Sequence, residues 1–323
     1  MFARLFCIVI LSWIGLASAS SPKLIAYLGS DPLEAIEARS RDIALHLTRL
    51  GHKENRDFKL WLGSYHIVGA TVSQRREEMR RQVDLLFAQN PAIVYAGNVD
   101  VLAEAKKHSA TIPIVFSVRS NLKSIAVDHV RNPAAPEGNL TGITRYVNLV
   151  EKKIQYVKDA FPSVKSIGFL YGNDILADRQ DAYEKAANSL GIRFNLRRIA
   201  DSDIAALASK IESMPDDAFI TAQDDLITIR KSEVLPQLAR VKRPVMHCEP
   251  DATSNSVLMH YVATIDREAK IADYISKLLN GVRVRDLPVQ EPQDFDFSVN
   301  LTAMRRNGHS IPRAVLARAR LVE

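Results

Sequence analysis

Two hydrophobic patterns alternate along this chain. Short, nearly continuous apolar runs are separated by longer stretches in which apolar residues recur every three or four positions. The first is the pattern of strands covered on both faces, the second that of helices lying on a sheet. Residues 24–28 form the first run, entering at Lys23 and leaving at Gly29. Asp31-Pro32-Leu33-Glu34 then supplies an N-cap, a proline in the first turn and a glutamate placed for a capping box, which predicts a helix to Leu50, stopped by Gly51. Residues 58–65 form the second strand. Val72, Met79, Val83, Leu86 and Phe87 mark one face of a helix that Asn90-Pro91 ends. A third strand at 92–96, the turn Gly97-Asn98, a helix carrying Leu102 and Ala105, and a fourth strand at 113–118 complete the series. Strands alternating with helices, without hairpin signals, predict a parallel sheet with right-handed crossovers.

The stretch 138–146 interrupts this order, which then restarts. Helix at 149–161, strand at 164–171, helix at 176–190, strands at 192–199, 217–223 and 243–248, and helices at 203–214 and 227–240 follow in turn. A tail adds a strand at 257–262, a helix at 266–279 stopped by Asn280-Gly281, a strand at 295–299 and a short helical end. Balancing the strand count returns 257–279 to the first half and leaves the end to the second. The expected lobes are therefore 20–142 with 250–286, and 143–249 with 287–323. The chain crosses between them three times, near 138–146, 248–250 and 287–292, which makes a hinge. Gly142 is a hinge candidate, while Arg145 and Tyr146 either brace the lobe interface or reach the cleft.

The first residues differ from all of this. Arg4, an apolar run at 5–16 and the small-x-small triplet Ala17-Ser18-Ala19 read as a cleaved export signal, residues 1–19, too short for a convincing membrane span. A soluble periplasmic protein is expected. Cys7 falls inside the signal, so Cys248 is left without a partner for an internal disulfide. The remaining ~300 residues exceed what one core usually organises. At 47% apolar and 25% charged the composition is that of a globular protein. The formal net charge of +6 falls by one with Arg4; the charges are interspersed, without a basic stripe, which excludes nucleic acid as a partner.

Asn139-Leu140-Thr141-Gly142, the segment ending Phe169-Leu170-Tyr171, Leu287-Pro288-Val289-Gln290, Val299-Asn300-Leu301-Thr302-Ala303 and Gly308-His309-Ser310-Ile311-Pro312 together resemble bacterial ABC transporter substrate-binding proteins of the tryptophan/tyrosine-binding type. The resemblance spans the chain after the signal, in order. It implies the type I periplasmic binding-protein fold: an α/β protein of two Rossmann-like lobes with parallel sheets, joined by three crossover segments and closing on a small ligand. The partners it implies are an inner-membrane ABC permease and its ATPase.

In parallel α/β lobes, ligands bind beyond the carboxyl ends of the strands. Those ends are Gly29, Ser30 and Asp31; Gly97 and Asn98; and Ser117, Val118 and Arg119 in the first lobe. In the second they are Tyr171, Gly172, Asn173 and Asp174; Gln223, Asp224 and Asp225; and His247, Cys248 and Glu249. Ser30, Asp31 and Asn98 are also natural helix caps, and Asp224-Asp225 suits an ammonium group or a solvated turn. Tyr95, Phe116 and Tyr171 are either an aromatic wall or core. Where the family commonly has a small polar turn after the third strand, this chain has Gly97-Asn98. In place of the Asp-Pro that often follows the fourth, it has Ser117-Val118-Arg119-Ser120, and the Arg119 cation favours a carboxylate or another anion.

Signals of catalysis are lacking. No histidine pair has metal-ligand spacing, no Gly-x-Ser-x-Gly elbow occurs, and the turn after the first strand is not Gly-x-Gly-x-x-Gly. No catalytic residue, metal or cofactor is expected. The expected function is capture of a small organic solute, an amino acid or an aromatic or carboxylate compound, by a monomer that delivers it to an importer. The alternative is a sensor subunit docking on a membrane kinase or cyclase.

Overall fold

The computed structural model describes residues 21–118, 122–145, 147, 149–172, 180–222, 226–227, 230–248 and 256–323. Strand β1 (Lys23–Gly29) is buried from Ile25 onward and feeds two cores at once: Ala26 and Leu28 face one, Ile25 and Tyr27 the other. That is why its apolar run is continuous rather than alternating. With β2 (Phe58–Ser64), β3 (Ile93–Ala96), β4 (Ile114–Val118) and β5 (Leu140–Thr144) it forms a five-stranded parallel sheet in the order β2-β1-β3-β4-β5. Helix α1 (Leu33–Arg49) buries Ile36, Ile43 and Leu47 against the Tyr27 face. Helices α2 (Val72–Ala88), α3 (Val99–His108) and α4 (Leu122–Asp128) cover the Leu28 face.

The second sheet contains β6 (Ser166–Tyr171), β7 (Arg193–Arg198), β8 (Ala218–Thr221), β9 (Val245–His247), β10 (Met259–Thr264), β11 (Asp294–Asn300) and β12 (Arg320–Val322), in the order β12-β11-β10-β9-β8-β6-β7. Its pairs are parallel except β10 with β11. Helices α5 (Val150–Ala160) and α6 (Gln180–Ser189) pack on one face, and α7 (Leu207–Glu212) and α8 (Lys231–Leu238) on the other. A 3-10 turn at Asp201–Ala206 begins the stretch expected as one helix at 203–214.

The tail divides differently from the expectation. The strand expected at 257–262, assigned to the first lobe, is β10 of the second sheet: Met259 and His260 pair with Met246 and His247 of β9, and Met259 and Tyr261 are buried in the second-lobe core. Helix α9 (Arg267–Leu279) does join the first lobe, where Ile271, Tyr274 and Ile275 pack with Ile25, Tyr27 and Leu47. A buried His52–Ser276 hydrogen bond of 2.8 Å fastens it there. The second crossing is therefore at residues 265–266, between β10 and α9, and not at 248–250. Short helices α10 (Leu301–Arg306) and α11 (Arg313–Leu316) and the unanticipated β12 complete the second lobe.

The stretch 138–146 is also more than a divider, since most of it is β5, an edge strand of the first sheet. Gly142 lies mid-strand, at φ +154°, and a Cβ placed there would stand 2.1 Å from the Phe116 carbonyl oxygen. Its carbonyl accepts from Gln290 N–H at 3.1 Å, and Gln290 O accepts from Thr144 N–H at 2.8 Å. A residue clamped from both sides is a packing glycine, which removes Gly142 as a hinge.

Candidate functional site

In an open parallel sheet the crevice lies at the strand pair where the order of connections reverses. For the first sheet that pair is β1 and β3, and for the second β6 and β8. Gly29, Ser30 and Asp31 follow β1, Gly97 and Asn98 follow β3, and Tyr171-Gly172 and Ala222 stand at the ends of β6 and β8.

The first-lobe ends are stitched together by side chains. Ser64 Oγ donates to Asp31 O at 2.6 Å, His66 Nδ1 lies 3.3 Å from Ser30 O, and Tyr65 N–H donates to Gly29 O at 3.2 Å. Asn98 is the N-cap of α3, as its sequence position suggested: its Oδ1 accepts from Val101 N–H at 3.0 Å, while its Nδ2 donates to the Tyr65 hydroxyl at 2.8 Å. The Tyr65 ring packs in the core beside Met79 and Val83, with its hydroxyl at the seam between β1 and β3. Burial raises the Tyr65 pKa, the Asp100 and Asp31 charges add to this, and hydrogen bonds to Asn98 and Ser30 draw it back in part. The phenol is a neutral donor throughout the physiological range.

Asp31 does not cap α1. Pro32 occupies the N-cap position without a side-chain cap bond, and the Asp31 carboxylate pairs instead with the Arg39 guanidinium. Arg39 is itself half-buried; the lowering effect of burial on its pKa is outweighed by its bonds to Asp31 and Tyr27, which hold the pKa above its ordinary value. The Asp31 charge is thus matched inside its own lobe. The Gly97 N–H is likewise committed, donating to Leu28 O at 2.9 Å.

Several expected contacts turn inward. Ser117, Val118, His247 and Cys248 are buried. Val118 packs with Phe116 and Ile125 in the core, and Tyr95 stacks on Tyr27 with ring centroids 4.3 Å apart, so Tyr95 and Phe116 are core rather than cleft wall. Cys248 Sγ donates to Ala222 O at 2.7 Å, and His247 Nδ1 lies 2.8 Å from Thr221 Oγ1. Burial drives the His247 pKa down to about 3, with Lys153, Lys231 and His260 contributing. Tyr171 is half-buried. Gly172 admits no side chain, because a Cβ there would meet Leu226 Cβ at 2.5 Å. Arg119, Tyr146, Asn173, Asp174, Gln223, Asp224, Asp225 and Glu249 lie outside the described residues.

Sequence reasoning missed Tyr65. It stands at the carboxyl end of β2, so the strand-end rule that selected the ends of β1, β3 and β4 applies to it equally. Chemically the described first-lobe ends offer neutral donors, Ser30, Asn98 and Tyr65. Among the described residues no group of three or more His, Cys, Asp or Glu is placed to hold a metal ion, and no helix is long and apolar enough to cross a membrane.

Comparison with solved structures places the fold. A conserved domain protein from Vibrio cholerae superposes with a TM-score of 0.72 at 20% identity, covering 94% of this chain and 100% of its own. The ABC domain from Streptococcus pneumonia, in complex with L-Trp, gives 0.71 at 19% identity, with the same two coverages of 94% and 100%. CD0873 from Clostridium difficile, a substrate binding protein with adhesive properties in its ligand-free, open form, gives 0.69 at 19%, covering 93% and 99%. The two-lobed type I periplasmic binding-protein architecture expected from the sequence is thus the fold observed. No curated protein sequence matches the chain significantly. The family described as ABC transporter substrate binding protein matches residues 68–323, most of the chain, and this protein belongs to that family.

Proposed function

We propose that this protein captures a small carboxylate-bearing organic solute, an amino acid or an aromatic acid, in the periplasm and delivers it to an ABC importer. The observation that carries the reading is the pair of crevices, one in each lobe, each at the strand pair where its sheet reverses order. In a family of substrate-binding proteins, such crevices are the two halves of a ligand cleft. The proposed lining is Ser30, Tyr65 and Asn98 from the first lobe and, from the second, Tyr171 with Gln223, Asp224 and Asp225, which follow β8 in sequence. Ser117, Val118, His247 and Cys248 serve as interior support. Closure requires a ligand touching both lobes, because contact with one alone gives no differential affinity for the closed form.

The ligand class draws on neutral hydrogen-bond donors in the first lobe, on Asp31 being neutralised by Arg39, and on Arg119 following β4 in sequence. Two structural relatives add support: the Streptococcus pneumonia protein binds L-Trp, and a Rhodopseudomonas palustris solute binding protein (TM-score 0.51, 12% identity, covering 81% of this chain and 75% of its own) binds 3,4-dihydroxy benzoic acid. Both ligands carry a ring and a carboxylate. A thermal-shift panel of aromatic amino acids, branched amino acids and aromatic acids tests this. One carboxylate class is expected to raise the melting temperature with concentration, equivalent to about 2.7 kcal/mol at a hundred times Kd. Stabilisation by cations alone would refute the ligand class. Steady turnover of the ligand would refute simple capture.

A further inference from the structure

Charge is sorted at the pole of the second lobe opposite the cleft, where the amino ends of its parallel strands lie. Lys165 precedes β6 there, Arg193 opens β7, Asp216 and Asp217 precede β8, and Lys242 precedes β9. Helices α5, α7 and α8 run back against the strands, so Asp159, Glu212 and Arg240 at their ends reach the same pole. The carboxylates are committed inward. Asp216 is buried and takes Arg197 at 2.7 Å, while Asp217 Oδ2 takes the N–H groups of Lys165 and Ser166, each at 2.9 Å. Glu212 accepts from Lys242 N–H at 2.6 Å and lies 3.4 Å from Arg243, and Asp159 accepts from Arg318 at 2.8 Å. The cations stay outside. Lys165, Arg193, Arg240, Lys242, Arg305 and Arg306 are exposed, and among the described residues their side chains make one ion pair, Arg305 with Glu323 at 3.9 Å. Arg306 donates to Ala239 O at 2.6 Å and Asn307 Nδ2 to Val241 O at 3.0 Å, which sets the end of α10 beside Arg240 and Lys242. No run along the chain shows this face, because its cations come from separate segments.

We propose that this pole is a docking face for an anionic phospholipid bilayer, on which the protein rests with its cleft, at the other end of the strands, turned away from the lipid. A cation at a helix end offsets the helix dipole, which accounts for Arg240. Lys165 and Arg193 stand at strand starts, where the sheet has no comparable dipole. With neighbouring strands about 4.8 Å apart, the row β9-β8-β6-β7 alone spreads these charges over about 15 Å. A single small anion would need them gathered into one place, whereas an extended anionic surface meets all of them. A nucleic acid would stack its bases on exposed aromatic side chains, and Phe161, at the end of α5, is buried. Lipid phosphates need only charge and hydrogen-bond donors, which guanidinium and ammonium groups supply.

The proposal goes beyond solute capture and does not depend on the solute. Vesicle flotation tests it with the wild type, the pole variant Arg240→Gln/Lys242→Gln, and a control, Arg75→Gln/Arg76→Gln, that removes two exposed charges from the first lobe. Each protein is mixed with vesicles of phosphatidylcholine, alone or with about a third phosphatidylglycerol, at about 50 mM and about 500 mM salt. The wild type and the control are expected to float with the anionic vesicles at low salt and to be released at high salt. A cation near such a surface is worth about fivefold in affinity, so the pole variant is expected to bind about twenty-five-fold more weakly. All four substituted side chains are exposed, and the three proteins are expected to melt together. Undiminished binding by the pole variant, or an equal loss in both variants, overturns the docking face. Equal binding to the neutral vesicles, or no flotation at all, overturns the anionic bilayer as partner. Binding to a short DNA duplex in place of the vesicles puts another polyanion on the pole and overturns it too. In each of these cases solute capture, which is read from the cleft, still stands.

Discussion

At the scale of single residues, His247 makes the sharpest statement about stability. It is wholly buried at the end of β9, and burial holds its pKa at about 3. In the unfolded chain a histidine titrates near 6.5. Between those values the unfolded state binds the extra proton and the native state does not, so stability falls as pH drops from 6.5 and is intact above it. The slope contributed is about 1 kcal/mol for each pH unit. Asp57 and Glu78, whose partners Arg56 and Arg81 hold them at about 2, act at lower pH, from the ordinary carboxylate values near 4 downward. Urea unfolding between about pH 5.5 and 6.5 therefore isolates the histidines. His247→Gln is expected to flatten the slope there, leaving the smaller contributions of His129 and His309, which burial also lowers. An unchanged slope would mean that His247 gains a proton in the native state. The sequence placed His247 and Cys248 at a strand end and suited Cys248 to partial burial, but it carried no sign that His247 turns into the interior beside it. That depends on Thr221, the last residue of β8, and Ala222 just beyond it, which contact them only once the sheet has formed.

At the scale of elements, what the sequence showed and what it hid follow from one distinction. Parallel strands buried on both faces are continuous apolar runs, and so β1, β3, β4 and β6 were legible as strands. Which strand a run pairs with is not written in its periodicity. Met259, Tyr261 and Val262 suit either lobe, and counting strands sent β10 to the wrong one. β12 escaped because three residues, Arg320, Leu321 and Val322, are too few to show a period, and it exists by pairing with Ser298 to Asn300. The stretch 138–146 reads as a join because the strand–helix order restarts after it, yet its Gly142 is what lets β5 approach β4. Gly142→Ala forces a Cβ against the Phe116 carbonyl and a backbone conformation that side chains rarely adopt. A loss of more than about 3 kcal/mol in urea unfolding is expected. An alanine variant as stable as the wild type would show that β5 shifts freely along the sheet edge.

At the scale of the whole molecule, the first lobe depends on a helix that the chain delivers after most of the second sheet has been made. α9 buries Ile271, Tyr274 and Ile275 against β1 and α1, and the connection beyond it is fixed by Thr141 Oγ1 donating to Leu287 O at 2.6 Å and by the Tyr274 hydroxyl on Pro288 O. The second-lobe core, from Leu149 to Val315, is built from other residues. If capture works by rotation of two lobes, each must keep its own core while the segments that cross between them, 265–266 among them, bend. Ile275→Ala tests that modularity without touching the proposed ligand residues. The substitution opens a cavity in the first-lobe core and is expected to cost about 2–5 kcal/mol. Native-state hydrogen exchange should then show faster exchange in β1, β3 and β4, with β6, β8 and β9 close to wild type, even though residue 275 lies later in the chain than all six strands. Equal acceleration in both sheets would show that the lobes open as a single cooperative unit, and hinge rotation between independently stable lobes would have to be abandoned.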